Sequence, residues 1–361
     1  MTSRGLPAES AERIAATLRR VSPDYAPTPL VDLPRLAAGL GVAQVLVKDE
    51  GRRALGSFKS LGGGYAALRA LARAAGTDVP GVLAARAGAL PGGPLPDLVC
   101  ASDGNHGLAV AYAARLTGAR ARVFLHAGVS KVRSRRIAAQ GAEIVTVAGT
   151  YDDAVAAARA AADAGDAVLV ADTGDDPEDA VVRDVMAGYG VLAAEVRDEL
   201  AVGRMARPTH IFVQAGVGGL AAAMAEGLAA ELAAPARIVV VEPAAAACVG
   251  AALATGKQVQ LDGPLETAAA MLSCGRASAP ALAVFQRYPV SAMRVEEVEM
   301  LAAPRRLADA GGPVATPSGA AGLAGLATAL GRERTALSLG LDGESRVLLV
   351  VSEGDPGAQA T

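Results

Sequence analysis

From residue 98 onward, short runs of valine, isoleucine and leucine alternate with alanine-rich helical stretches. That alternation limits the fold more than any other feature of the chain. Runs 98–101, 121–125, 143–147 and 167–171 read as strands, with helices at 108–117, 130–140 and 151–165 between them. The same grammar returns with strands at 209–214, 237–242 and 347–351. Helices follow at 220–232 and from Pro317-Ser318-Gly319 to about Leu330. Strand–helix–strand repetition of this kind implies parallel sheets joined by crossover helices. Upstream, residues 1–24 read as a helical arm, and 25–30 as extended because its prolines disfavour helix in the residues before them. A short helix is expected at 33–40, a strand at 44–48, and an amphipathic helix from Lys59 to about Ala75. The Gly/Pro/Ala-rich stretch 84–97 reads as a surface loop or linker.

At 361 residues the chain is too long for one ordinary core, so two domains are expected, or one large and one small. It is 52% hydrophobic but only 3% aromatic, with no tryptophan, which predicts a core of Ala, Val and Leu. A net charge of −3 argues against a nucleic-acid or anionic-membrane surface. The one basic cluster, Lys131, Arg133, Arg135 and Arg136, reads as a solvated helix face. There is no apolar run of membrane-spanning length and no signal-peptide pattern, so a soluble, cytoplasmic protein is expected. The three cysteines lack metal-ligand spacing and suit a reducing compartment; if Cys248 and Cys274 are neighbours, two buried thiols are the expected outcome.

Chemistry concentrates at Gly56-Ser57-Phe58-Lys59-Ser60-Leu61-Gly62-Gly63-Gly64. The only lysines are Lys48, Lys59, Lys131 and Lys257, so 34 basic residues less 4 leaves 30 arginines. A chain that uses arginine for charge has little need of lysine, except where an amine must lose its proton and act as a nucleophile. The alternative for Lys59 is a solvating residue at a helix end. Downstream, the turn Gly216-Val217-Gly218-Gly219 joins a strand to a helix, which is the setting of a phosphate cup. It is neither a dinucleotide fingerprint nor a Walker loop, and plain helix–sheet packing remains the alternative. One lysine tether and one phosphate cup are what pyridoxal phosphate requires.

The motifs Thr28-Pro29-Leu30, Val47-Lys48-Asp49-Glu50, Ser57-Phe58-Lys59, Gly104-Asn105-His106-Gly107, Gly216 to Gly219, Ser318-Gly319 and Ser352-Glu353-Gly354 run in order along nearly the whole chain. On them the chain resembles the fold-type II pyridoxal-phosphate enzymes, the group of tryptophan synthase β-subunits, cysteine synthases and serine/threonine dehydratases. Within that group it most resembles the diaminopropionate ammonia-lyases, through Asp103 before Gly-Asn-His, Val170-Ala171-Asp172-Thr173, and Leu272-Ser273-Cys274-Gly275.

The resemblance implies an α/β fold of two three-layer parallel-sheet domains with the cofactor between them. The large domain would comprise 1–96 and 172–361, and the small one 97–171. It implies that Lys59 holds the cofactor covalently beside Phe58, and that Asn105 hydrogen-bonds its phenolic oxygen. Gly216, Val217, Gly218 and Gly219 would cradle its phosphate, with Ser352 facing its ring nitrogen. A hydroxyl there does not keep the ring protonated, which favours β-elimination over transamination. Asp103 and Asp172 would serve as acid/base residues, with carboxyl pKa values raised toward neutrality by burial. The alternatives are a helix N-cap for Asp103 and a strand-end turn residue for Asp172. His106 reads as a helix-start hydrogen-bonding residue, and His126 and His210 as structural.

The implied activity is elimination of ammonia from 2,3-diaminopropionate, giving pyruvate and ammonia. The small amino-acid substrate would be handled by a homodimer, with no metal. The alternatives are a serine/threonine dehydratase, another β-eliminating or β-replacing enzyme, or a cofactor-binding protein without catalysis. The chain departs from the lyases at 174–179, which is acidic where they carry aromatics. That segment reads either as pocket lining that alters the substrate or as a solvated loop.

Overall fold

The computed structural model describes residues 9–22, 24–84, 94–102, 104–165, 167–355 and 357. In chain order the strands are Leu30–Asp32 (β1), Gln44–Asp49 (β2), Asp97–Ala101 (β3), Ala121–His126 (β4), Glu143–Val147 (β5), Ala167–Leu169 (β6), His210–Gln214 (β7), Arg237–Pro243 (β8), Ser291–Val295 (β9) and Arg346–Val351 (β10). The helices are Ala11–Val21 (α1), Pro34–Leu40 (α2), Lys59–Ala74 (α3), Val79–Ala84 (α4), Asn105–Thr117 (α5), Lys131–Ala138 (α6), Tyr151–Asp163 (α7) and Ala180–Ala201 (α8). They continue with Gly219–Leu228 (α9), Cys248–Thr255 (α10), Ala279–Phe285 (α11), Glu297–Asp309 (α12), Ala321–Leu330 (α13) and Glu333–Leu339 (α14).

The strands form two sheets, as the alternation predicts. One has six strands in the order β1-β2-β10-β7-β8-β9 and the other four in the order β5-β4-β3-β6. All pairings are parallel except β1 with β2, a three-residue antiparallel edge that the sequence reading takes only as extended chain. A short edge strand of this kind limits the exposed ladder. β7 is buried at every position, and β8 and β10 at all but the first. These strands therefore read as unbroken apolar runs and not as alternating ones.

By contacts the chain divides into two compact units. The first comprises Met1–Tyr25, Lys59–Gly174 and Glu178–Val191; the second comprises Ala26–Phe58, Asp175–Pro177 and Leu192–Thr361. This corrects the expected boundary at 96/97, because α3 belongs with the four-stranded sheet. A Cβ on Gly63 would lie 3.0 Å from the Cβ of Ala109 and 3.1 Å from Nδ1 of His106, both on α5. In the same unit α5 packs on the face of Val123, whereas Phe124 joins α7 on the other face, as strand alternation requires. In the second unit, a core of Phe212, Val239, Val241 and Val347 packs against α2, α12, α13 and α14.

Helix α8, 22 residues long, has no counterpart in the sequence reading. Val182, Val185, Met186, Tyr189, Leu192, Ala193 and Val196 form one buried stripe at helical spacing, and Asp184, Val191 and Glu195 are buried on the other side of the helix. Among the described residues, no helix is long and apolar enough to cross a membrane.

Candidate active site

Lys59 is the first residue of α3, and its ammonium meets the carboxylate of Asp172 just past β6, Nζ to Oδ2 at 2.5 Å. The side chains are 21% and 12% exposed, so the pair is largely desolvated. Burial pulls the Lys59 pKa down, but Asp172 and Tyr189 more than reverse this and leave it well above the usual lysine range. Burial likewise pushes Asp172 up, and the Lys59 ammonium overcomes it, holding the carboxyl well below its ordinary value. Without the cofactor the Asp172 carboxyl is thus lowered and not raised toward neutrality. An adjacent ammonium outweighs desolvation at this distance.

His106, on α5, completes the cluster. Its Nε2 lies 2.8 Å from the carbonyl oxygen of Val170, which assigns the ring proton to Nε2. Burial lowers its pKa, so the ring is neutral. Nδ1 is buried without a hydrogen-bond partner among the described residues and stands 4.0 Å from Oδ2 of Asp172. The three glycines after Lys59 have separate uses. Gly62 admits α8, since its Cβ would lie 2.3 Å from Cε1 of Tyr189, and Gly63 admits α5. Gly64 has nothing within 4 Å.

Asn105 opens α5 in this unit and is half-buried. Asp103 lies outside the described residues. Its capping alternative meets competition, because the hydroxyl of Ser102 accepts from the N–H of Gly104 (3.0 Å) and of Gly107 (2.8 Å). Ser102 thereby supplies the turn with the side-chain acceptor expected of Asp103.

The second unit holds the other predicted residues. Gly216, Val217, Gly218 and Gly219 form the turn between β7 and α9, and the first N–H groups of α9 lack intrahelical partners by helix geometry. Gly218 has φ +101°, and its Cβ would meet Ala281, Phe285 and Val249 at 3.2–3.3 Å. Gly216 is packed just as closely, its Cβ only 2.9 Å from Sγ of Cys274. Side chains therefore do not fit at Gly216 and Gly218, and the turn presents bare backbone there. Cys248 contacts the same turn, its thiol donating to the Gly216 carbonyl at 3.4 Å. Cys248 is buried and Cys274 half-buried, and neither is in a disulfide.

Ser352 follows β10 and its Oγ accepts from Nε2 of Gln214 at 2.7 Å, leaving the hydroxyl proton for another acceptor. Its carbonyl accepts the N–H of Phe58 at 3.1 Å, and Ser57 pairs with Glu353, so the peptide before Lys59 is stitched to this strand end. Behind that peptide lies a buried network. Arg53 donates to Glu50 (2.8 and 2.7 Å) and to Glu195 (2.9 and 2.6 Å), and Lys48 donates to Glu195 at 2.6 Å.

The structure thus brings Lys59 together with Asp172 in one unit, which also contains Asn105, and Phe58 with Ser352 in the other, which also contains the glycine turn. Tyr189, Glu195, Gln214 and Ser102 were missed by the sequence reading. The available signals were a tyrosine in an aromatic-poor chain, and lone polar residues inside apolar runs at 195 and 214. The other lysines are unsuited to act as a tether, Lys48 being committed to Glu195 and Lys131 and Lys257 being exposed.

The acidic run is mostly a solvated loop. Asp175 pairs with Arg276 at 3.0 Å, Glu178 with Arg183, and Asp179 caps α8 through the N–H groups of Val181 and Val182. His210 bonds the Leu339 carbonyl at 3.0 Å. In the first unit a largely desolvated lysine suits an aldehyde, and in the second a backbone turn at a helix start suits a phosphate; pyridoxal phosphate carries both groups.

Comparison with known proteins agrees. The chain is 32% identical to the diaminopropionate ammonia-lyase of Salmonella typhimurium over 359 residues, 92% of this chain and 86% of that protein. It is 33% identical over 325 residues to the biosynthetic L-threonine dehydratase of Mycobacterium leprae, covering 89% of this chain and 68% of that one. The crystal structure of diaminopropionate ammonia lyase from Escherichia coli in complex with D-serine superposes with a TM-score of 0.84 at 27% identity, covering 99% of this chain and 94% of that one. Residues 21–353 match the family described as pyridoxal-phosphate dependent enzyme, so the chain belongs to that family and has its fold-type II architecture of two mostly parallel sheets.

Proposed function

We propose that this protein is a pyridoxal-phosphate-dependent ammonia-lyase that eliminates the β-amino group of 2,3-diaminopropionate, yielding pyruvate and ammonia. The observation that carries the reading is the 2.5 Å contact of Lys59 with Asp172, the aspartate of the motif Val170-Ala171-Asp172-Thr173 on which the resemblance to the lyases rests. When bound, pyridoxal phosphate supplies the electron sink for the pair left on Cα after a proton is removed. Lys59 is the tether. Asp172, already ionised, is in the form that accepts a proton, and Asp103 is assigned the companion role on the strength of the motif.

The backbone N–H groups of Gly216 to Gly219 hold the phosphate dianion at the positive end of α9, and Asn105 orients the phenolic oxygen. Ser352, its oxygen occupied by Gln214, donates to the ring nitrogen without protonating it. Assembly as a homodimer is part of the same reading and is checked by sedimentation.

A dehydratase is the second reading, favoured by the 33% identity to a threonine dehydratase. Keto-acid release from D- and L-2,3-diaminopropionate, L-serine and L-threonine separates the two. The lyase reading expects the highest kcat/KM on a diaminopropionate enantiomer, and a preference for threonine or serine would replace it.

A further inference from the structure

The carboxamide of Gln214 is crowded with acceptors on one side and has no partner on the other. It lies buried at the end of β7. Its Nε2 stands 3.2 Å from the Ser318 carbonyl, 3.0 Å from that of Gly319, 3.0 Å from that of Val350 and 2.7 Å from Oγ of Ser352. Carbonyl oxygens only accept, so the amide turns its NH2 toward them and not its own oxygen. Oε1 faces away and is buried with no hydrogen-bond partner among the described residues. Helix α13 closes over it, since a Cβ on Gly322 would lie 3.3 Å from Oε1 and 2.6 Å from the Phe212 carbonyl. A buried amide oxygen left unpaired costs free energy, which the contacts on the nitrogen side offset.

The Ser352 backbone is held on both sides, its N–H donating to the Gly319 carbonyl at 3.3 Å and its own carbonyl accepting from Phe58 at 3.1 Å. What remains to be set is the rotation of its hydroxyl. Gln214 offers that hydroxyl only N–H, so Oγ accepts there and its one proton is directed elsewhere. Among the described residues no acceptor takes that proton. The same amide engages three carbonyls that stand around this point and would otherwise compete for it. We propose that Gln214 is a positioning residue that fixes the direction of the Ser352 hydroxyl, so that its proton is given to the ring nitrogen of the cofactor. This role rests on the reading of Ser352 as the group facing that nitrogen. A nitrogen that receives a proton donor is held unprotonated, so Gln214 sets through Ser352 the ring state that favours elimination over transamination.

Gln214→Met keeps the length of the side chain and removes its N–H groups. The Ser352 proton should then turn to the carbonyls that Gln214 no longer serves, and the ring nitrogen should lose its donor. Cofactor-free protein is loaded with pyridoxal phosphate isotopically labelled at the ring nitrogen, and the nitrogen resonance and the dissociation constant are measured. The wild type should show an unprotonated pyridine that accepts a hydrogen bond. In Gln214→Met the resonance should move to that of a pyridine without one, and binding should weaken roughly 2- to 10-fold, the worth of one hydrogen bond. Ser352→Ala should match it, and the double variant should be no weaker than either single one, because both remove the same contact. Additive losses in the double variant, or an unmoved resonance in Gln214→Met, would overturn the proposal. Should Gln214→Met fail to fold, the side-chain amide protons of Gln214 read the same link. They should shift on cofactor loading in the wild type, through the polarised hydroxyl, and far less in Ser352→Ala; equal shifts in the two would overturn it. An unmoved ring resonance in Ser352→Ala removes the placement of Ser352 at the ring, and the role of Gln214 with it. A resonance that moves in Ser352→Ala but not in Gln214→Met removes only the role of Gln214.

Discussion

At neutral pH Asp172 is ionised because Lys59 is, and the converse holds equally. The folded pKa of Asp172 lies below its ordinary 3.8, so its contribution to stability is present above that value and lost only as pH falls below it. That of Lys59 lies above 10.5, so its contribution is lost only as pH rises past that. Cofactor-free Asp172→Asn should melt below wild type at neutral pH, because it leaves the Lys59 ammonium buried without its counter-charge. Equal melting of the two proteins would contradict the pairing. In the holoenzyme the same variant should lose roughly 10²–10⁴-fold in turnover, the usual scale for a proton-transfer group.

Glu242 behaves in the opposite way. It is fully buried, accepts from the N–H groups of Val249 (2.7 Å) and Gly250 (2.8 Å) at the start of α10, and burial raises its pKa from 4.5 to about 7. Folding thus favours its neutral form, with no penalty below pH 4.5, a growing one up to about 7, and a full one above. The difference of about 2.5 units corresponds to roughly 3 kcal/mol. Wild-type melting temperatures should fall across that interval, and Glu242→Gln should flatten the fall. Parallel curves for the two proteins would show that this carboxyl does not titrate there.

At the scale of elements, the placement of Lys59 depends on how α3 meets α8. Gly62→Ala pushes a methyl into Tyr189 and the Val185 backbone, and overpacking of this kind costs about 1–3 kcal/mol. Gly64→Ala meets nothing within 4 Å and replaces a helix-interior glycine, so it should be neutral or stabilising by roughly 0.5–1 kcal/mol. Equal melting of the two variants would refute the crossing. The other end of α8 carries Glu195, the carboxylate shared by Lys48 and Arg53. Burial pushes its pKa up, but Arg53 and Lys48 bring it below the ordinary value. Glu195→Gln leaves two buried cations short of charge, and breaking such a network costs about 3–5 kcal/mol. Chemical denaturation measures it, and a loss under 1 kcal/mol would mean that water replaces the carboxylate.

Across the whole molecule, what was legible in the sequence was what is locally encoded. The strands β2 to β8 and β10, the helix at Lys59 and the glycine turn after β7 each carry their own periodicity or punctuation. Helix α8 was missed although Val182, Val185, Met186, Tyr189, Leu192, Ala193 and Val196 recur at helical spacing, and Tyr189 and Glu195 were lost with it. The boundary at 96/97 failed for another reason. Only the tertiary contacts of Gly62 and Gly63 show that α3 belongs with the four-stranded sheet. The Lys59–Asp172 partnership spans 113 residues and entered the sequence reading only through resemblance; its ionisation state needed the 2.5 Å distance. The account stands or falls on the identity of the tether. Borohydride reduction of the holoenzyme, followed by peptide mapping, should place the reduced cofactor on Lys59; a label on Lys48, Lys131 or Lys257 would contradict it.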